Sequence, residues 1–407
     1  MKRIYLDYAA TTPLDPAVRR AMAPYFGAKF GNPGSLHFFG REALAGIDFA
    51  REKIGRVLNL EILKGFREII FTGSATEANN LALQATLKKF KIQSASWRTK
   101  FEIPRILVSA VEHESVLETA RSLSAQSGSA LGGEIELVIL PVDKSGAVDL
   151  EFLKKNLTEN TALVSIMFAN NETGVIQPIA EISKIIRDFR EINNSQFPLF
   201  HSDAVQAFQY MDCSPDKIGV DLLTLSAHKI CGPKGVGALY FRSGIFSQSL
   251  PEIAGGGQEF GWRSGTENVP LIVGFGQAAE IAAKAREKER RRIGDLRNFF
   301  WKELKKISPK AILNGNFEKN PADFLPNIAN VYFSGLSAEE LLIKLDMVDV
   351  SVSAGSACSA RTVKASHVLK AMGFPENRIK SSLRFSFGRF TDREELKEFL
   401  RRMRKIF

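Results

Sequence analysis

Cysteine is nearly missing from this chain: there are three among 407 residues, at Cys213, Cys231 and Cys358, with no CxxC spacing. So sparse and odd a set excludes a disulfide framework and a structural zinc site, and leaves each cysteine as a small buried residue or a reactive thiol. Long apolar runs are missing too. The longest, such as Leu163–Ala169, suit a strand and fall well short of the roughly 20 residues of a membrane span. The opening Met1-Lys2-Arg3-Ile4-Tyr5-Leu6-Asp7 reaches an acidic residue after three apolar positions, which excludes a secretory apolar core and makes a cytoplasmic location the default. Internal repeats and low-complexity tracts are absent as well.

What is there is ordinary globular material, with 44% hydrophobic and 25% charged residues in a chain long enough for two domains. The net charge is +10. Its basic residues gather in Lys284–Arg292, which holds six basic and two acidic positions, and at Arg401, Arg402, Arg404 and Lys405. No nucleic-acid-binding motif accompanies them. Both stretches have a helical pattern, so a solvated helix face is the favoured account and direct nucleic-acid contact is not expected. A surface for an acidic protein or tRNA is the alternative.

Short β-rich runs alternate with helix-period segments. Strands are expected at Glu68–Thr72, Ile106–Ser109, Leu137–Pro141, Leu163–Phe168, Leu199–Asp203, Leu222–Ser226 and Gly237–Phe241. Helices are expected among them at Ala75–Phe90, Ser115–Ala125 and Ile179–Arg190. The alternation predicts an α/β fold with a mostly parallel sheet and crossover helices. A long helix, Val269–Ile307, then leaves the sheet. Beyond it, strands at Ile328–Phe333, Val350–Val352 and Leu383–Phe387 and helices at Ala338–Leu345, Val363–Met372 and Asp392–Lys405 predict a smaller α+β domain. Lys91–Glu102 lacks periodicity and is expected to be a surface loop.

Ligands of open α/β sheets bind beyond the carboxyl ends of the strands, and the polar residues of interest fall there. Lys229 follows the strand ending at Ser226, inside Ser226-Ala227-His228-Lys229 and before the turn Gly232-Pro233. A lysine after a strand is more often a surface residue. Partly desolvated, however, its amine becomes a nucleophile, as in the Schiff base to pyridoxal phosphate (PLP). Gly73-Ser74-Ala75-Thr76-Glu77 enters a helix with small residues and could cradle a phosphate, or be a plain N-cap. His113, at a strand–helix junction, could pack or cap, or stack on a cofactor ring and shuttle protons. Asn170-Asn171-Glu172-Thr173-Gly174 could be only a turn, or offer an amide to a ring oxygen. Asp203, at the end of another apolar strand, needs a cationic partner, and a pyridinium nitrogen is one; Gln206 could reach the ring oxygen. Together these supply a phosphate cradle, a ring stacker, a pyridinium counter-ion and a Schiff-base lysine. A last stretch, Ser351–Ala360, has no large side chain to pack, and Cys358 within it is expected to be exposed and mobile.

The chain resembles, nearly end to end, the group I NifS/IscS-type cysteine desulfurases, PLP enzymes of fold type I in the class V aminotransferase group. The resemblance rests on Tyr5–Pro13, Phe30-Gly31-Asn32-Pro33, Asn170–Gly174, Ser226–Lys229, Arg263–Asn268, Gly355-Ser356-Ala357-Cys358 and Leu383–Thr391. It implies a large PLP-binding domain over 15–265 and a small domain formed by 1–14 and 266–407. It makes Lys229 the Schiff-base lysine and Cys358 the persulfide-bearing nucleophile, and leaves open whether Cys358 transiently binds an iron–sulfur cluster. It puts His113 over the ring, Asp203 on the pyridine nitrogen, and Asn171 and Gln206 near the ring oxygen. Ala75, Thr76, Ser226 and His228 would hold the phosphate, joined by Thr266 from a partner subunit, which implies a homodimer. Asn32 and Arg384 would clamp the carboxylate of L-cysteine, arginine because its planar fork matches a carboxylate. A sulfur-acceptor protein, such as an iron–sulfur scaffold or a tRNA-thiolation enzyme, completes the implied partners.

Four departures stand out. Gly73-Ser74 replaces a usual Ser-Gly, Phe260 stands where a basic residue is common, and Phe168 where histidine is common. The chain ends at Phe407, without the longer tail that some members use to dock a scaffold. Two other readings are a different PLP enzyme on this fold, such as an aminotransferase or selenocysteine lyase, and a non-catalytic sulfur-carrier or tRNA-binding protein.

Overall fold

The computed structural model describes residues 3–61, 66–96, 103–125, 135–315, 317–355 and 365–406. Among these, strands β2 (Ile69–Thr72), β3 (Arg105–Ser109), β4 (Glu136–Leu140), β5 (Thr161–Ser165), β6 (Leu199–Asp203), β7 (Leu222–Ser226) and β8 (Gly237–Phe241) form one sheet of seven. Its order is β2-β8-β7-β6-β5-β3-β4. Every neighbouring pair is parallel except those made by β8, which runs against both β2 and β7. Strands β5 to β8 are buried along their whole length, as continuous apolar runs covered on both faces must be.

Crossover helices account for the coverage. They include α3 (Ala75–Ser96), α4 (Glu114–Ala125), α5 (Leu150–Asn156) and α6 (Ile179–Ile192), numbered after α1 (Pro16–Met22) and α2 (Phe38–Val57). A short α7 (Pro215–Ile218) precedes β7. The long α8 (Val269–Ile307) has 39 residues, and α2 packs along it. At Gly276 a Cβ would stand 2.6 Å from Ala50 Cα, so only glycine allows that approach.

The remaining strands build two small sheets. In one, β10 (Ile328–Tyr332) lies between β9 (Ile312–Leu313) and β12 (Ser382–Ser386), all antiparallel. In the other, the N-terminal β1 (Ile4–Tyr5) runs parallel to β11 (Val350–Ser351). Helices α9 (Ala338–Asp346), α10 (His367–Ala371), α11 (Glu376–Ile379) and α12 (Arg393–Met403) complete this part.

Several expected boundaries shift by one to three residues, as at β5, and two differ by more. Lys91–Ser96 is helical and continues α3, because that segment contains neither glycine nor proline to stop it. The helix expected from Val363 is found only from His367, where Ser366 Oγ caps it by accepting the Leu369 N–H at 3.0 Å. Positions 363 and 364, the loop tail at 97–102 and Cys358 lie outside the described residues.

The basic stretches sit on α8 and α12 and are partly neutralised within their own helices. Lys284 pairs with Glu280, Arg292 with Glu289, and Arg401 and Arg402 with Glu398. Arg402 does more than solvate a face: it is buried and donates to Val348 O, pinning α12 to the turn before β11. Among the described residues no helix is long and apolar enough to cross a membrane, and no cluster of His, Cys, Asp and Glu could hold a metal ion.

Candidate active site

A cleft of about 370 Å³ opens beyond the carboxyl ends of β6 and β7. It is lined by Ala75, Thr76, His113, Asn171 and Asp203, and also by Gln206, Ser226, His228, Lys229 and Arg384. Ten of the expected positions thus meet in one place, although they come from six separate stretches of the chain.

The floor is Asp203, the last residue of β6 and 5% exposed. Its Oδ1 accepts the Val205 N–H at 2.9 Å and its Oδ2 accepts from Asn79 Nδ2 at 2.9 Å. No cation pairs with it among the described residues. A buried carboxylate with lone pairs left over and no counter-charge fits a pyridinium nitrogen.

The phosphate end is built by α3. Ser74 O accepts from Ala78 N and Ser74 Oγ from Glu77 N, which leaves the first helical amides, of Ala75 and Thr76, without partners among the described residues. Free amides at the positive end of a 22-residue helix favour an anion. Glu77 also folds back, accepting Gly73 N–H at 2.8 Å and holding Arg263 Nε at 2.8 Å. The Gly73-Ser74 order is therefore used: the Gly73 amide goes to Glu77 and the Ser74 hydroxyl caps the helix. On the opposite side, β8 comes so near that a Cβ at Gly237 would stand 2.6 Å from Ser74 C and 2.8 Å from Ala75 N. His228 completes this end. Burial, helped by the nearby Lys229 and Lys234 charges, drives its pKa down to about 3, so the ring is neutral. Lys234, on the rim, is a cation that the sequence reading passed over.

Lys229 sits in a 3₁₀ turn after β7. Its Nζ donates to Ala9 O at 2.6 Å and Ala10 O at 2.7 Å. Gln206 Nε2 donates to the same Ala9 O at 3.0 Å. Residues 9–12 form a roof over the cleft, stitched on by Thr12. That hydroxyl donates to His228 O at 2.8 Å and accepts the Cys231 N–H at 2.8 Å. The N-terminal motif thus has a structural task that its sequence did not reveal.

Arg384, on β12 and 1% exposed, reaches the cleft from the small sheet. Its Nη2 is held by Asp7 Oδ1 at 2.7 Å and its Nη1 donates to Asn171 O at 2.9 Å, while Nε has no partner among the described residues. A guanidinium fixed in this way, with a donor to spare, is suited to receiving a carboxylate. Asp7 is a site residue that sequence reasoning missed.

Two expected residues stand elsewhere. Asn32 is exposed, outside the cleft of its own chain, and its Oδ1 accepts the Gly34 N–H at 2.9 Å. Thr266 is exposed in the segment before α8, also outside this cleft. That segment is anchored by a buried pair in which Arg51 grips Glu259 at 2.8 Å and 3.0 Å. Phe260 stacks over Arg51 and Arg67 at 5.0 Å and 5.6 Å, giving this departure from the usual basic residue a packing role. Phe168 is core. Cys213 and Cys231 are buried, and burial pushes the Cys213 thiol up to about 12, which makes it inert.

Residues 4–399 match the aminotransferase class-V family. The chain is 43% identical over 397 residues to the cysteine desulfurase IscS of Dictyoglomus turgidum, covering 97% of this chain and 92% of that protein. It is likewise 43% identical over 396 residues to the cysteine desulfurase IscS 1 of Archaeoglobus fulgidus, covering 97% and 94%. Among solved structures, a NifS-like protein superposes with a TM-score of 0.86 at 35% identity, covering 100% of this chain and 99% of that one. The NifS-like protein from Rickettsia africae gives 0.83 at 33%, with the same coverage.

Proposed function

The chain belongs to the aminotransferase class-V family, and from that premise we propose that it is a PLP-dependent cysteine desulfurase. It converts L-cysteine to L-alanine and passes the sulfur to its own Cys358 as a persulfide. One observation carries this reading. Lys229 and a buried, cation-free Asp203 face one cleft from adjacent parallel strands, beside the open N-terminus of a long helix.

The cofactor, when bound, supplies an electron sink that stabilises negative charge at the substrate α-carbon. The protein's part is positioning and proton transfer. Asp203 would keep a proton on the pyridine nitrogen. The amides of Ala75 and Thr76, with Ser226 and the neutral His228, would hold the phosphate, and Asn171 and Gln206 would serve the ring oxygen. His113 would lie against the ring. Arg384, held by Asp7, receives the substrate carboxylate and orients its α-carbon. Lys229 Nζ then takes the α-proton. In the net reaction the substrate Cβ–Sγ bond breaks and an Sγ–Sγ bond forms to Cys358; the α-proton taken by Lys229 returns to carbon, and the proton given up by the Cys358 thiol is balanced by the one gained at Cβ, giving alanine.

The finer assignments belong to the same proposal. The sulfur acceptor is an iron–sulfur scaffold or a tRNA-thiolation enzyme, and the work is cytoplasmic. The small domain comprises 1–14 and 266–407, a division supported by the pairing of β1 with β11. The enzyme is a homodimer in which Thr266 serves the partner's phosphate. Its support is the exposure of the large apolar side chains Phe26, Phe30, Leu36, Phe38 and Phe49, with Leu36 91% exposed, in the same stretch of chain as Asn32.

The test is an absorbance spectrum before and after L-cysteine, with alanine and sulfide assayed together under a thiol reductant. A visible PLP band that changes, with both products formed, is expected. Cys358→Ala should keep the band and its response while sulfide release falls to background. Undiminished turnover in that variant would remove Cys358 from the mechanism.

A further inference from the structure

One line of hydrogen bonds joins the floor of the cleft to its side wall through Asn79 and Ser115. Asn79, on α3, is fully buried. Its Nδ2 donates one hydrogen to Asp203 Oδ2 at 2.9 Å and the other to Ser115 Oγ at 2.8 Å. Its Oδ1 is buried with no partner, yet a flipped amide would set that oxygen against the Asp203 carboxylate. The donating direction is therefore fixed.

Ser115 Oγ lies in turn 2.8 Å from His113 Nδ1, and the Ser115 backbone N–H donates to the same nitrogen at 3.1 Å. An N–H aimed at Nδ1 means that Nδ1 carries no proton. The hydroxyl, having accepted from Asn79, offers its own hydrogen there. The ring hydrogen is left on Nε2.

We propose that Asn79 and Ser115 are positioning residues, which together hold His113 as the Nε2–H tautomer and tie its ring to the Asp203 carboxylate. The effect on cofactor binding rests on the proposed function, whereas the tautomer is a property of the chain alone. Were the line only packing between α3 and α4, truncating it would lower stability without touching the imidazole.

The experiment is long-range ¹H–¹⁵N NMR on full-length protein with labelled histidine, as purified and after PLP removal, with His113→Gln to assign the signals. The wild type is expected to show an unprotonated Nδ1 and a protonated Nε2 at neutral pH. Asn79→Ala and Ser115→Ala should each shift the Nδ1 signal, Ser115→Ala the more, because the backbone N–H of residue 115 still reaches Nδ1 while the hydroxyl hydrogen is freed or lost. Each should also weaken PLP binding by roughly tenfold, the scale for losing a hydrogen bond in a line that ends on a charge. Ser115→Thr should restore both. If Asn79→Ala does not fold, the Ser115 pair carries the test. A wild-type His113 protonated at Nδ1, or an Nδ1 signal unmoved in the folded variants, would overturn the proposal. A wild type that takes up no PLP but keeps the expected tautomer would instead overturn the assigned activity and leave the line standing.

Discussion

Glu112 precedes His113 and is fully buried, with Oε1 accepting the Met167 N–H at 2.6 Å and Oε2 unpartnered. Burial, and secondarily the Asp203 charge, raises its pKa well above the ordinary 4.5. Above that pH the folded chain keeps a proton that the unfolded chain has released, so this residue's contribution to stability falls as pH rises. Glu112→Gln preserves the acceptor for Met167 and removes the titration. We expect the variant to be at least as stable as wild type at neutral pH, with an advantage that grows as pH rises from the ordinary carboxylate range toward the folded-state pKa. Paired thermal melts across that range check the sign, and an advantage that shrinks with pH would contradict it. The buried line through Asn79 was closed to sequence reasoning for a related reason. Nothing in Thr76-Glu77-Ala78-Asn79 says which of its polar residues turns inward, since that depends on β6 lying beneath.

At the level of elements, the sheet was legible because buried parallel strands are written as unbroken apolar runs ending in polar residues. Leu199–Asp203 and Leu222–Ser226 have the expected limits. The order of the strands was not legible, nor that β8 is antiparallel, because a buried strand carries the same run in either direction. Helices α1 and α2 went unread, although Asp15-Pro16 is a clear start signal, with Asp15 Oδ1 accepting the Ala17 N–H. Lys229, Asp203 and His113 could be found from motifs at strand ends; Asp7 could not, since its task exists only through Arg384. The α3 N-terminus yields a prediction at this scale. Gly237→Val would drive a side chain into the Ser74–Ala75 backbone, costing about 1–3 kcal/mol of stability. It should also disturb the free amides, so equilibrium dialysis is expected to show weakened PLP retention in protein that still folds. Unchanged retention would mean that these amides do not hold the phosphate.

Over the whole molecule, the stretch Phe26–Phe49 exposes a run of large apolar side chains, among them Phe30, Leu36, Phe38 and Phe49. Phe38→Asp combined with Phe49→Asp, both far exposed, should leave the fold intact while shifting sedimentation from twice the chain mass toward the monomer. If Thr266 acts across the dimer, turnover should fall in step with the monomer fraction. A dimer unaffected by two buried-interface charges would place the interface elsewhere.

The bond between Asp7 and Arg384 spans 377 residues of sequence, as does that between the Ala9 amide and Ser386 Oγ. On the ribosome the roof residues emerge 377 residues ahead of the groups that anchor them. Until β12 is released, the Asp7 carboxylate has no guanidinium to hold and β1 lacks part of its setting. The large sheet can assemble much earlier, since its strands lie between Ile69 and Phe241. A nascent chain would thus expose Lys229 and Asp203 in an open trough before either the roof or the carboxylate clamp exists. Closure of the site therefore follows the release of β12 and the arrival of Arg384.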